Sequence, residues 1–271
     1  MTTTPIPKLV TTMAIPTVVS MLITAVYNMA DTFFVSQLGT SAGAAVGIVF
    51  PIMTIIQSLG FTIAIGASSM ISRMLGEKNN KEADKYASTA FFTALLIGIV
   101  IAAIGLSIIN PLMKLLGATP TILPYARAYG QYIFIGAPFM CCSYVMNNSL
   151  RAEGRATFSM IGLSLGGILN IILDPIFIFS FGLGTAGAAI ATIISQFISF
   201  LILLSFYVTK KSLVTISIKH ISRKFSTYTT IFKVGMPSFF RQGLATIASI
   251  FMNVAASAYG DAAIAAISIN N

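Results

Sequence analysis

Apolar residues gather into long runs separated by short polar or glycine-containing breaks. The runs cover residues 12–38, 46–74, 86–113, 125–147, 158–181, 186–209 and 231–259. Each is at least as long as the roughly 20 residues that an α-helix needs to cross the hydrocarbon core of a bilayer. Spanning β-strands would alternate in polarity and break about every ten residues, so the pattern predicts helices throughout. The connectors at 39–43, 76–85, 117–124, 151–155 and 182–184 read as turns, and a longer polar stretch covers 210–230.

Composition strengthens this reading. Of 271 residues, 56% are hydrophobic and 8% charged, with no tryptophan. A soluble domain carries roughly 25% charged residues, so soluble enzymes, disordered chains and disulfide scaffolds are excluded. The adjacent Cys141 and Cys142 lack metal-ligand spacing and read as small core residues. No glycine-rich phosphate loop is present, and no enzymatic cofactor or catalytic residue is expected.

The net charge of +9 would suggest nucleic acid if it formed one basic face. Instead the basic residues lie beside the apolar runs. With the N-terminus inside, thirteen lysines and arginines fall on the inner side, among them Arg73, Lys78, Lys81, Arg151 and Arg155. Only Lys114 and Arg127 fall outside, while Arg241 lies in the seventh run near its inner end, where a long side chain either reaches the interface or faces the cavity. This asymmetry predicts a cytoplasmic N-terminus in the cell membrane. The first run lacks a cleavage site and is expected to be retained.

Polar residues inside the runs are costly and are functional candidates by default. Two of seven carboxylates, Asp31 and Asp174, interrupt spans. Asp31 ends a stripe of Ser20, Thr24, Tyr27, Asn28 and Asp31 on one face of the first helix. In the fifth span Gly162, Gly166, Asn170 and Asp174 follow four-residue spacing, so the glycines admit a neighbouring helix and the polar pair points into one space. Thr192, Ser195, Gln196 and Ser199 share a face of the sixth. These hard oxygen ligands suit a proton or an alkali cation such as sodium, not a soft transition metal. Pro175 removes a backbone N–H beside Asp174 and forms a candidate hinge.

The starts of the first and seventh spans superpose at an offset of 221 residues: Pro16 meets Pro237, Gly39 meets Gly260, Ala45 meets Ala266 and Ile48 meets Ile269. Six spans then form one unit and a second begins in the same orientation, a parallel repeat. The expected organisation is a six-helix bundle over 1–209, a cytoplasmic linker over 210–230 and the truncated start of a second bundle over 231–271.

The stretch Tyr27-Asn28-Met29-Ala30-Asp31-Thr32-Phe33-Phe34-Val35-Ser36-Gln37-Leu38-Gly39 resembles the first-helix signature of multidrug and toxic compound extrusion (MATE) transporters. So do Arg73-Met74-Leu75-Gly76, Leu150-Arg151-Ala152-Glu153-Gly154-Arg155, the pair Asn170 and Asp174, and the segment Gly182 to Thr192. The resemblance implies an all-α polytopic fold of two six-helix bundles. It also implies a secondary antiporter that exports drugs and organic cations in exchange for protons or sodium. Carried onto this sequence, the coupling-cation site falls on Asp31, Asn170, Asp174 and Thr192, and Tyr27, Asn28 and Asn147 line the substrate cavity. The seventh span lacks the carboxylate of another branch of the family, so coupling is expected in the first bundle.

Three alternatives stand beside this reading. A flippase of related fold for a lipid-linked saccharide would need a strongly basic cavity, for which the sequence offers Arg241. An inert fragment or half-transporter would lack its second bundle. An intramembrane aspartyl protease would need other residues flanking its two aspartates.

Overall fold

The computed structural model describes residues 6–257 and Tyr259. Among these residues eight α-helices follow one another: α1 (Ile6–Ser36), α2 (Thr40–Gly76), α3 (Asn80–Ser107), the short α4 (Ile109–Leu115), α5 (Leu123–Ala152), α6 (Ala156–Pro175), α7 (Gly184–Val208) and α8 (Phe225–Ser257). No strand occurs among the described residues. The repeat partners Gly260, Ala266 and Ile269 lie outside the described residues, whereas Pro16 and Pro237 both fall inside helices, α1 and α8.

Several boundaries differ from the sequence expectation: α1, α2 and α3 each begin six residues before their apolar runs, at Ile6, Thr40 and Asn80, which shortens the turns expected at 39–43 and 76–85. The third apolar run divides at Ile108, and its end forms α4. The turn expected at 151–155 begins later, because Arg151 and Ala152 complete α5. Finally, α8 begins at Phe225 rather than 231, which shortens the linker.

Local chemistry sets several helix ends. Asn79 precedes α3, and its side-chain oxygen accepts the Glu82 N–H at 3.3 Å, while Glu82 complements the positive end of the helix. Between α6 and α7, Gly182 and Gly184 take φ values of +65° and +56°, a region that glycine enters without steric cost.

Among the described residues, five helices are long and apolar enough to cross a membrane: α1, α2, α3, α6 with the π-helical turn that follows it, and α7. Seven such spans were expected. The more polar α5 is surrounded by α2, α3 and α7, so its surface meets protein rather than lipid. The polar residues of α8 include Arg241 and Gln242, which face a cavity.

In lipid, helices associate through close packing and hydrogen bonds rather than through the hydrophobic effect. Glycines mark the contacts here. A Cβ at Gly162 would lie 2.5 Å from Leu203, and one at Gly166 would lie 2.8 Å from Ser199. The Ser199 hydroxyl donates to the Gly162 carbonyl at 2.8 Å, locking α7 to α6. Along α2 and α8 the approach is closer still, with Gly66 against the Ile231 carbonyl and Gly235 against that of Thr62. Farther along the same pair, buried Asn253 donates to the Gly47 carbonyl at 2.9 Å.

The linker is docked, not free. Glu153 accepts the Leu213 N–H at 2.6 Å and the Ser212 hydroxyl at 2.7 Å. Asp84 accepts the Thr215 N–H at 2.6 Å, and Thr89 accepts that of Ser222 at 2.9 Å. Burial holds the Glu153 carboxyl above the ordinary glutamate range even though these bonds favour the charged form. Glu153→Ala should cost about 1.5–3 kcal/mol, as expected for hydrogen bonds to a charged group. Limited trypsin digestion checks this, with faster cleavage expected at Lys210, Lys211 and Lys219. These contacts also gather the α2–α3 turn, the α5–α6 turn and the linker at one end of the bundle. At the other end, Leu38 lies near Gly184 and Gly117 near Asn253.

Candidate functional site

Asp31 and Asp174 reach one region from different helices. Asp31 sits near the end of α1 and is 9% exposed; Asp174 is fully buried near the end of α6. Asn170, one turn before Asp174, donates through Nδ2 to Asp174 Oδ1 at 3.1 Å and to Thr192 Oγ1 on α7 at 3.4 Å. From α5, the Tyr129 hydroxyl donates to Asp31 Oδ2 at 3.3 Å and interacts with Thr192. The two carboxylates are close enough for the charge on one to act on the other. Four helices thus converge on one polar cluster.

Three oxygens in this cluster, Asp31 Oδ1, Asn170 Oδ1 and Asp174 Oδ2, are buried without a hydrogen-bond partner. A buried acceptor left unpaired is costly. A proton on a carboxylate or a hard cation shared among the oxygens would satisfy them. The donor set therefore fits either ion. No group of three or more histidine, cysteine or acidic residues suited to a metal occurs among the described residues.

Next to the cluster lies a cavity of about 460 Å³. Tyr27, Asn28 and Asn147 line it, as do Asn170 and Thr192, but Asp31 and Asp174 are not part of its lining. The α1 stripe expected from periodicity supplies Ser20, Thr24, Tyr27 and Asn28 to this wall. Asn147 also has a structural tie, donating to the Ser159 carbonyl at 3.1 Å. At Pro175 the α-helix passes into a π-helical turn, Ile176–Ser180, directly after Asp174.

Sequence reasoning missed Tyr129, whose partner lies 98 positions away; a hydroxyl within an apolar stretch was its only signal. It also missed Gln57, Phe61 and Tyr144, and it assigned Arg151 to a loop although this residue lines the cavity. Arg241 lines the same cavity. Because α8 starts at Phe225, Arg241 stands sixteen residues, or about 24 Å, along the helix. That is the middle of α8 and not its inner end, and of the two positions the sequence leaves open for this side chain it takes the one that faces the cavity.

Comparisons with known proteins agree with this architecture. A family model described as MatE matches residues 16–176. A multidrug export protein, MepA, of Staphylococcus saprophyticus is 30% identical over 258 residues, covering 95% of this chain and 57% of the relative. A FAD transporter of Shewanella oneidensis is 35% identical over 199 residues, covering 72% of this chain and 44% of its own. A solved inward-facing multidrug resistance MATE family transporter of the MOP superfamily superposes with a TM-score of 0.85 at 34% identity, covering 89% of this chain and 56% of that one. The chain thus spans between 44% and 57% of the length of these relatives. The cluster of membrane-capable helices and the family match together establish that the chain belongs to the MatE family of multidrug and toxic compound extrusion transporters, integral membrane transport proteins and not enzymes.

Proposed function

We propose that the protein is a secondary antiporter that exports small amphipathic molecules in exchange for protons or sodium. In this reading Asp31, Asn170, Asp174 and Thr192 hold the coupling ion, and Tyr27, Asn28 and Asn147 contribute to the substrate cavity. The observation that carries it is the buried four-helix cluster with three unpartnered oxygens beside the cavity. Multidrug export by relatives similar over most of this chain supports the class of cargo. The organic cations that the resemblance implies are not adopted, because the charged side chains lining the cavity are Arg151 and Arg241.

Mechanistically, the ion alters the charge of the cluster at the point where Pro175 and the π-helical turn interrupt α6. Loss of regular i→i−4 hydrogen bonding makes that segment the one most easily bent. Ion binding would shift the bend, and Asn170 and Thr192, which belong both to the cluster and to the cavity wall, would carry the shift to the cargo. Residues 1–209 form the ion-binding bundle, 210–230 the cytoplasmic linker and 231–271 the start of a second bundle, with the N-terminus in the cytoplasm. The excess of basic residues at the end shared by the α2–α3 turn, the α5–α6 turn and the linker supports that orientation.

The test is efflux of a fluorescent amphipathic compound by the whole protein, reconstituted into vesicles with imposed pH or sodium gradients. Export is expected to follow one of the two gradients and to stop when it is collapsed. Export that continues without either gradient would sink the proposal.

A further inference from the structure

We infer that the cavity takes an anionic amphipathic solute, an apolar or aromatic body bearing a phosphate or carboxylate that Arg151 and Arg241 hold. This inference rests on the transporter reading for its physiological meaning, but the binding itself is a property of the cavity alone.

The first argument is charge. Arg151 and Arg241 are the charged side chains that line the cavity. Neither has an ion-pair partner among the described residues, where the pairs are Arg73 with Glu77 and Lys85 with Glu82. The other described carboxylates are engaged elsewhere: Asp31 with Tyr129, Asp174 with Asn170, Asp84 with Thr215, and Glu153 with Ser212 and Leu213. An organic cation entering here would meet two like charges and leave both without a partner.

Depth supplies the second. The pairing of Ile231 with Gly66, Gly235 with Thr62 and Asn253 with Gly47 makes α8 antiparallel to α2. Continuing that register from Gly235 brings Arg241 level with Gln57, another lining residue at the middle of α2. A charge at mid-membrane depth is expensive and marks a pathway for solutes or ions. Arg151 stands at the opposite end of α5 from Tyr129, 22 positions or about 33 Å of helix away. Arg151 is therefore displaced toward the linker end of the cavity and the carboxylate cluster toward the other end, with Arg241 between them.

The rest of the lining fits the remainder of such a molecule. Phe61 and Tyr144 pack with ring centroids 4.5 Å apart, and both line the cavity with Tyr27, offering flat apolar surface. Asn148 and Gln196 add hydrogen-bonding capacity. A guanidinium matches phosphate and carboxylate in a bidentate fork, and Arg151 is already oriented by donating through Nε to Ser159 Oγ at 2.9 Å. At about 460 Å³, the cavity falls in the usual range for small-molecule sites of roughly 300–1,000 Å³. The same anionic chemistry could come from a solute in the cytoplasm or from a lipid headgroup.

Isothermal titration of the whole protein in nanodiscs of zwitterionic lipid tests this with three ligands that share a ring: 1-naphthyl phosphate, 1-naphthol and 1-naphthylmethylammonium. The phosphate is expected to bind roughly tenfold or more tightly than the alcohol, as one charge-assisted contact would give, and to weaken as salt is added. Arg241→Gln should bring the phosphate down to the affinity of the alcohol. Arg151→Gln should do the same; because Arg151 is tied to Ser159, the more exposed Arg241 keeps the test decisive if that variant misfolds. Displacement by added anionic phospholipid would identify a lipid headgroup as the anion, and binding undisturbed by it a soluble solute; both support the inference. Equal affinity for phosphate and alcohol, tighter binding of the ammonium, no phosphate binding, or a preference that survives both substitutions would overturn it. Ion-driven efflux is measured separately, so its loss would count against the antiporter reading and not against the anion site.

Discussion

Asp174→Asn should reduce gradient-driven efflux to that of protein-free vesicles while the protein still inserts and folds. Asp174 has no exposed surface, so replacement by its neutral isostere removes the charge and the proton-binding oxygen without changing the volume. The variant should be as stable as the parent or more so, because it relieves the cost of an ionised carboxylate away from water. Lost transport would therefore report lost coupling and not lost structure. The new amide would face the donating Nδ2 of Asn170, so the oxygen of the amide must take the place of Oδ1. Asp31→Asn tests the other carboxylate, whose Oδ2 is held by Tyr129. If both variants export normally, the cluster does not couple an ion. Loss in Asp174→Asn with retention in Asp31→Asn would put the ion on α6 alone. Melting in detergent and membrane yield check the folding half of the claim.

The elements most legible in the sequence were those whose signals are local. The three- and four-residue spacing from Ser20 to Asp31 describes one face of α1, and that face lines the cavity with Ser20, Thr24, Tyr27 and Asn28. Gly162 and Gly166 could be read as a helix contact because nothing but close approach requires glycine twice at that interval, and Leu203 and Ser199 fill the space. Contacts between distant segments left no such mark. Tyr129 meets a partner 98 positions away, and Asp84 holds the linker across 131. A polar linker and a charged turn look solvated in sequence, although here each satisfies the other. Arg241 was misplaced for a different reason. Hydropathy locates an apolar run and not the first residue of its helix, and the six residues by which α8 starts early put this side chain at the middle of the helix rather than near its inner end.

The second large effect is expected at the crossing of α2 and α8. A Cβ at Gly66 would lie 1.9 Å from the Ile231 carbonyl oxygen, and one at Gly235 would lie 1.9 Å from that of Thr62. Both obstacles are backbone atoms, which cannot rotate away as a side-chain tip can. Gly66→Ala must therefore push the helices apart by about 1.5 Å to restore ordinary contact. Overpacking usually costs about 1–3 kcal/mol, and a clash with rigid helical backbone should fall at or above the top of that range. Gly235→Ala should act similarly, and the two changes should cost less together than their sum, because the first already opens the shared contact. Gly76→Ala is the control: nothing lies within 4 Å of its Cβ, so the change should stay within about 0.5 kcal/mol. Thermal unfolding in detergent measures all four variants against the parent. Because α8 carries Arg241 and α2 carries Gln57 and Phe61, separating these helices also widens the cavity, so Gly66→Ala should weaken ligand binding beyond what its loss of stability accounts for. Unchanged melting of Gly66→Ala and Gly235→Ala would mean that the two helices do not cross at these glycines.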